Sequence, residues 1–264
     1  MRDFDKQAAT FDQRTGLPAS AAEAIARTVA RLGNMHAGDT LLEIGAGTGQ
    51  IGCHFCALPG RYVGFDASAA MLAEFARNAR SRGVSATLLQ ADGNGLWPAD
   101  AQSIKTFFAS RVLHLLRPDH VLAEIFRLAL PSGATLVSGR VERSPESLRS
   151  RLRREMRARL KRIGLSPSDG REIHACIFDA CRLRGAATIE PIIAATWPVT
   201  ESATRLIQSW RMKKGLAGVD LPDAVKSSIL SGLETWSEQE FGSAIESHAA
   251  EEKYVLEGVR LPPH

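Results

Sequence analysis

Leu41-Leu42-Glu43-Ile44-Gly45-Ala46-Gly47-Thr48-Gly49 is followed, one apolar run later, by Tyr62-Val63-Gly64-Phe65-Asp66. An apolar run that empties into alternating glycines predicts a strand ending in a turn. A ligand can approach the N–H groups of that turn closely, because glycine carries no Cβ. The second run then delivers a carboxylate about 20 residues on, the spacing at which an acidic side chain reaches a ribose in βαβ nucleotide sites. A literal G-x-G-x-x-G also spans Gly47–Gly52, and alone it would indicate a dinucleotide. Its register is wrong, because the dinucleotide fingerprint places its first glycine directly after the strand. Here that glycine is Gly45, and the pattern that fits the strand end is Glu43-x-Gly45-x-Gly47-x-Gly49.

Working outward, residues 20–33 predict a helix with Ser20 and Glu23 as a capping box and Gly33 as its stop. Strands are expected at 40–44, 61–65, 86–90, 104–109 and 134–139. Helices are expected over Thr48–Leu58, from Ser68 with Met71, Leu72, Phe75 and Ala79 at helical period, and from Asp119. This alternation predicts an α/β fold, a doubly wound, mostly parallel sheet. Ligands bind such sheets at the carboxyl ends of the strands, where residues 43–49, 66–68, 92–93 and 110–114 fall. Beyond residue 140 the rhythm changes. A basic helix is expected over 145–163, with Leu148, Leu152, Met156, Leu160 and Ile163 as a buried stripe. A helix over 169–184, strand six over 187–195, helices near 200–214 and 222–247, and strand seven over 252–260 complete seven strands. Pro191 marks a bulge or a weak point in strand six.

The composition is that of a globular protein, with 264 residues, 44% apolar and 23% charged. No run of 18 apolar residues predicts a membrane span, and Met1–Gln7 lacks the apolar core of a signal peptide, so a cytoplasmic location is expected. Cys53 and Cys56 form a C-x-x-C, but Cys176 and Cys181 do not repeat it, so the thiols read as small hydrophobes and no metal is expected. The net charge of +4 is uneven, with thirteen Arg or Lys against six Asp or Glu in residues 140–184.

Residues 41–49 with Asp66 and Asp92 resemble the class I S-adenosylmethionine-dependent methyltransferases. The resemblance is greatest to the small-molecule group that includes the ubiquinone/menaquinone-biosynthesis enzymes, and it covers roughly residues 4–140. It implies a Rossmann-like methyltransferase fold and S-adenosyl-L-methionine as cofactor, with S-adenosyl-L-homocysteine as product. By that resemblance Gly45, Ala46, Gly47 and Gly49 line the cofactor's amino-acid portion and Glu43 accepts hydrogen bonds near it. Asp66 takes both ribose hydroxyls, and Ala67 and Met71 flank the adenine. Asp92 accepts from the adenine amino group, with the Gly93 N–H near a ring nitrogen. Ser110 and Arg111 lie beneath the methionine part, and residues 4–12 fold over the cofactor. The implied domains are a cofactor-binding core with an N-terminal cap (1–140), a basic helical insertion (141–186), and strands six and seven with a helical lid on the substrate side (187–264).

The implied reaction is direct displacement of the methyl group by an oxygen or nitrogen of a small molecule. Much of the work in such a step is alignment, and a base is needed only where the acceptor must lose a proton. His114, four residues past Ser110, is the candidate base; a packing or capping histidine is the plain alternative. Phe11, Arg14, His114, Trp197 and Trp210 are candidates for the acceptor side. Residues 109–114 contain neither the Asn/Asp-Pro-Pro-aromatic turn of exocyclic-amine methyltransferases nor a nucleophilic cysteine. The basic run 149–162 suits an anionic substrate, carrier protein, lipid surface or RNA, or forms a solvated face over the buried stripe. It holds no aromatic residue to stack on bases, which argues against nucleic acid. The acceptor indicated is an apolar or aromatic small molecule with an anionic group. A methyltransferase for RNA or for a carrier-bound substrate, and a non-catalytic cofactor-binding protein, remain as alternatives.

Overall fold

The computed structural model describes residues 16–166, 170–243 and 245–263. Their first strands follow the apolar runs: β1 (Thr40–Ile44), β2 (Arg61–Asp66), β3 (Thr87–Gln90), β4 (Thr106–Ser110) and β5 (Thr135–Arg143). Later come β6 (Ala187–Glu201), the short hairpin pair β7 (Gly215–Leu216) and β8 (Val219–Asp220), and β9 (His248–Arg260). Seven of them form one sheet in the order β3-β2-β1-β4-β5-β9-β6. β1 is parallel to β2 and to β4, pairing Leu42 with Val63 and Ile44 with Ala109, and β2–β3 and β4–β5 are parallel as well. β9 runs against β5. The Leu261 N–H donates to the Ala134 carbonyl at 2.8 Å, while Gly258 lies on Leu136 and Tyr254 on Gly139, so one number rises as the other falls. The sheet is therefore mostly parallel, as expected, with β9 running against β5. Strand order reverses between β1 and β4, which makes their carboxyl ends the natural crevice for a ligand.

The helices are α1 (Ala19–Leu32), α2 (Gly52–Phe55), α3 (Ala69–Ser81), α4 (Pro118–Leu128), α5 (Leu148–Arg162), α6 (Arg171–Leu183), α7 (Ala203–Arg211) and α8 (Asp223–Phe241). The chain divides into two compact units. The first runs to Val141 and takes in Gly170–Ala195 and the residues from Tyr254; the second comprises Glu142–Asp169 and Thr196–Lys253. In the first, Leu42, Ile44, Phe107 and Leu136 of the sheet pack with Ile125 of α4 and Ile177 of α6. In the second, Leu148, Leu152, Met156 and Leu160 of α5 pack with Leu206, Trp210, Leu230 and Leu233 of α7 and α8.

Several boundaries differ from the sequence reading. The capping box fails, because α1 starts after Pro18 with no side-chain cap and Glu23 instead bonds Arg27 within the helix. Gly33 keeps a right-handed backbone and the left-handed residue is Asn34. The helix expected over Thr48–Leu58 is regular only across Gly52–Phe55, since the left-handed Gly49 holds the preceding chain in the turn. α4 opens on Pro118, whose missing N–H suits a first helical position. Leu148 through Leu160 form the buried stripe, but Ile163 lies just past the helix end and is 52% exposed. β6 continues through Pro191 and Pro198 to Glu201. It is an edge strand, where proline costs no ladder bond on the open side.

Candidate functional site

The turn after β1 is built by three left-handed glycines, Gly45, Gly47 and Gly49. A Cβ on Gly45 would come within 2.7 Å of Val112, and one on Gly49 within 2.3 Å of Phe75, so both allow close packing of the loop on its neighbours. Gly47 is different. The nearest atom to a Cβ there would be 4.0 Å away, so its face is open while its backbone stays in the left-handed region. The Gly47 N–H donates to Oδ2 of Asp66 at 2.9 Å, and the Ser68 N–H donates to Oδ1 at 2.9 Å. One carboxylate thus ties the turn after β1 to the turn after β2. Ser68 also caps α3, its Oγ accepting from the Met71 N–H at 3.2 Å. A hollow beside this loop is lined by Leu17, Gly49, Gln50, Asn78 and Arg82.

Beneath the loop, Glu43 is 3% exposed and accepts the Tyr62 hydroxyl at 2.5 Å. Burial pushes its carboxyl up to about 8; the Tyr62 bond opposes this and the nearby Asp66 charge adds to it. Gly52 lets α2 approach this pair, since a Cβ would lie 2.6 Å from the Tyr62 hydroxyl and 2.7 Å from the Glu43 carboxylate. Gly52 therefore has a packing role that its part in the misplaced dinucleotide pattern did not suggest.

After β3, Asp92 is exposed and its Oδ1 accepts the Asn94 N–H at 2.9 Å, forming a tight turn. Trp97, 1% exposed, pins that turn through its indole N–H, which donates to the Gly93 carbonyl at 2.9 Å. Glu124 of α4 accepts the Trp97 backbone N–H at 2.8 Å, and Arg127 bonds both Glu124 and the Trp97 carbonyl. Burial raises the Glu124 pKa, but Arg127 and the Trp97 N–H outweigh it and hold the carboxyl below its ordinary value. His120 is occupied here too, with Nε2 2.7 Å from the Gly95 carbonyl oxygen.

After β4, Arg111 is exposed and takes a left-handed backbone with φ of 58°, a conformation costly for a residue with a Cβ. Ser110 Oγ lies 2.5 Å from the Tyr254 hydroxyl, and burial pushes the Tyr254 pKa up to about 12, so that group stays protonated. His114 is exposed on a short 3-10 turn, Leu113–Leu115, with Gly170 packed against its Cβ. His174 of α6 stacks on Phe178, and burial first, then Arg140 and Arg182, lower its pKa to about 4.

The structure thus brings Gly45, Ala46, Gly47, Gly49, Asp66, Ala67, Asp92, Gly93, Ser110 and Arg111 to the carboxyl ends of four adjacent strands. Glu43 lies one layer below, and Met71 is 2% exposed within the packing of α3. Trp210 sits in the apolar cluster of the second unit, and Trp197 is buried on β6. Phe11, Arg14 and the segment 4–12 lie outside the described residues. Trp97 and Tyr254 were missed; a single tryptophan shortly after a predicted ligand loop was the only signal for the first. Cys56 donates to the Gly52 carbonyl, and burial pushes its thiol up to about 12, so it is not a reactive thiol.

Residues 41–133 match a family model described as a methyltransferase domain. No curated protein sequence matches the chain. Among solved structures, the BH2331 protein of Bacillus halodurans C-125 is 16% identical with a TM-score of 0.54, over 90% of this chain and 98% of its own. YcgJ of Bacillus subtilis is 15% identical with a TM-score of 0.54, over 93% and 99%. The [4+2]-cyclase SpnF is 18% identical with a TM-score of 0.53, over 92% and 81%. At these identities the likeness concerns the fold. The matched segment contains both the glycine turn and Asp66, so residues 41–133 are similar to a methyltransferase domain, set in a sheet of this topology.

Proposed function

We propose that the chain transfers the methyl group of S-adenosylmethionine to an oxygen or nitrogen of a small molecule that has an apolar or aromatic part and an anionic group. The observation that carries the cofactor side is the open face of Gly47 beside Asp66, at the strand-order switch. When bound, S-adenosylmethionine supplies a methyl group on a positively charged sulfur, a good leaving group. Gly45, Ala46, Gly47 and Gly49 line its amino-acid portion, where the open face of Gly47 lets it approach the backbone. Asp66 accepts from the ribose hydroxyls, since an ionised carboxylate is an acceptor only. Ala67 and Met71 contribute to the adenine pocket, and the turn of Asp92 and Gly93, pinned by Trp97, reads the adenine edge. Ser110 and Arg111 lie under the methionine part, with Tyr254 holding the Ser110 hydroxyl. Phe11, Arg14, Trp197 and Trp210 are proposed for the acceptor side, Trp210 from within its packed cluster.

His114 takes the acceptor's proton where one must leave. It is an exposed imidazole on the turn that follows Ser110 and Arg111. His114→Ala should then lower kcat by about 10²–10⁴ at neutral pH, with the loss fading as pH rises and the acceptor ionises unaided. A kcat that is unchanged across the pH range would assign His114 to packing against Gly170.

Two measurements test the whole reading. Isothermal titration with S-adenosylhomocysteine should show one site per chain, and absence of binding at millimolar ligand would refute the cofactor site. Incubation with methyl-labelled S-adenosylmethionine and a small-metabolite extract should label an O- or N-methyl product. Label appearing only in RNA or protein would move the acceptor to a macromolecule.

A further inference from the structure

Ser110, the last residue of β4, meets a buried phenol carried by β9. Its Oγ lies 2.5 Å from the Tyr254 hydroxyl, and Tyr254 is 1% exposed. The Tyr254 ring lies over β5, where Gly139 makes room for it. A Cβ at Gly139 would come within 2.4 Å of the ring and 2.5 Å of the hydroxyl. Gly139 pairs with Ser110 in the β4–β5 register, and its carbonyl accepts the Arg111 N–H at 3.3 Å. Three strands of one sheet therefore fix where the two hydroxyls meet.

Each hydroxyl has one hydrogen to give, and only one of the two is given to the other. Among the described residues, Ser110 Oγ is the one hydrogen-bond partner of the Tyr254 hydroxyl. Were Ser110 the donor, the phenol hydrogen would be buried without an acceptor, a loss larger than the bond returns. Tyr254 therefore donates and Ser110 Oγ accepts. Burial, which pushes the Tyr254 pKa up to about 12, keeps that proton in place. The Ser110 hydrogen is left to point away from the phenol. Ser110 is only half-buried, and it stands at the carboxyl end of β4 beside the switch in strand order. That strand end thus offers a hydroxyl donor. The next residue, Arg111, takes the left-handed backbone, and its positive charge reaches Tyr254. A donor beside a positive charge suits a carboxylate rather than an ammonium group.

We propose that Tyr254 is a positioning residue, which fixes the Ser110 hydroxyl as a donor to the carboxylate of the cofactor's amino-acid portion. The identity of that carboxylate rests on the function proposed above; the direction of the Ser110–Tyr254 bond does not.

The test compares S-adenosylhomocysteine with 5′-methylthioadenosine, which keeps the nucleoside and the sulfur and lacks the amino acid, by calorimetry on the full chain. Ser110→Ala should weaken S-adenosylhomocysteine binding at least about tenfold, the scale of a hydrogen bond to a charged group, and 5′-methylthioadenosine binding less than about twofold. Tyr254→Phe keeps the ring over Gly139. It should weaken S-adenosylhomocysteine binding about fourfold, because the Ser110 hydroxyl loses the partner that orients it. In the Ser110→Ala background the same change should have no further effect on affinity, a coupling that a merely structural tyrosine would not show. Equal losses for both ligands, additive losses in the double variant, or unchanged S-adenosylhomocysteine affinity in Ser110→Ala would each overturn the proposal.

The direction of the bond has its own readout in the thermal midpoint without ligand. Ser110→Ala strands a buried phenol hydrogen and should lower the midpoint; adding Tyr254→Phe should raise it again. A double variant that melts below Ser110→Ala would show that Ser110 is not the acceptor. Absence of S-adenosylhomocysteine binding to wild type would refute the cofactor reading and the proposed carboxylate with it, while the midpoints would still decide which hydroxyl donates.

Discussion

Asp66 works at two levels, joining the turns after β1 and β2 through the N–H groups of Gly47 and Ser68 while ending its strand beside the open face of Gly47. Asp66→Ala should weaken S-adenosylhomocysteine binding by at least about tenfold by calorimetry, the scale of a lost charge-assisted hydrogen bond. Glu43, four residues before Gly47 in the motif, is buried on Tyr62 with its pKa raised to about 8. Its sign follows from linkage. Below the unfolded-state value of about 4.5 both states hold the proton. As pH rises through the window up to about 8, only the unfolded chain releases it, so stability falls, on the order of a few kcal/mol. Glu43→Gln keeps an acceptor for Tyr62 and removes the titration. Its thermal midpoint should exceed that of wild type at pH 8 and converge with it near pH 4.5. The same gap at both values would show that Glu43 is ionised in the fold.

At the scale of the element, the loop after β3 depends on a side chain outside any motif. Trp97 joins it to α4 through Gly93, Glu124 and Arg127. Trp97→Phe keeps the ring and removes the indole N–H. The expected cost is about 1 kcal/mol in denaturant unfolding, with a severalfold weaker S-adenosylhomocysteine affinity because Asp92 and Gly93 lose their anchor. Unchanged affinity alongside the stability loss would detach that turn from the cofactor. Lys226, 8% exposed, shows a similar economy in the second unit, where its ammonium donates to the carbonyls of Arg211 and Lys213 at the end of α7. Neither device has a sequence pattern, because each depends on which backbone group the fold brings near.

At the scale of the molecule, each unit has its own apolar cluster, and Leu152 of α5 is fully buried in the second. Leu152→Ala should cost about 2–5 kcal/mol through lost contacts and a cavity. Proteolysis should then cut within residues 196–253 before it cuts the glycine-turn unit; earlier cleavage in residues 41–133 would mean the two clusters unfold as one. The parallel half of the sheet was legible from the chain because β1, β2, β4 and β5 are short apolar runs separated by glycine, proline and polar turns, and that periodicity is local. So was the register of Gly45, Gly47 and Gly49 against the strand end, which separated a sulfonium nucleoside from a dinucleotide. Other features were not local. The extents of β6 and β9, the burial of Glu43 on Tyr62, the Ser110–Tyr254 pair 144 residues apart and the pairing of the α5 arginines each depend on partners distant in the chain. By itself the sequence determined where β1 to β4 end and which residues line the turns after them, because backbone geometry there follows from residue type and spacing. Only the tertiary structure decided which of those side chains remain open to a ligand and which are held by the protein, because burial and hydrogen bonding depend on what folding brings beside them.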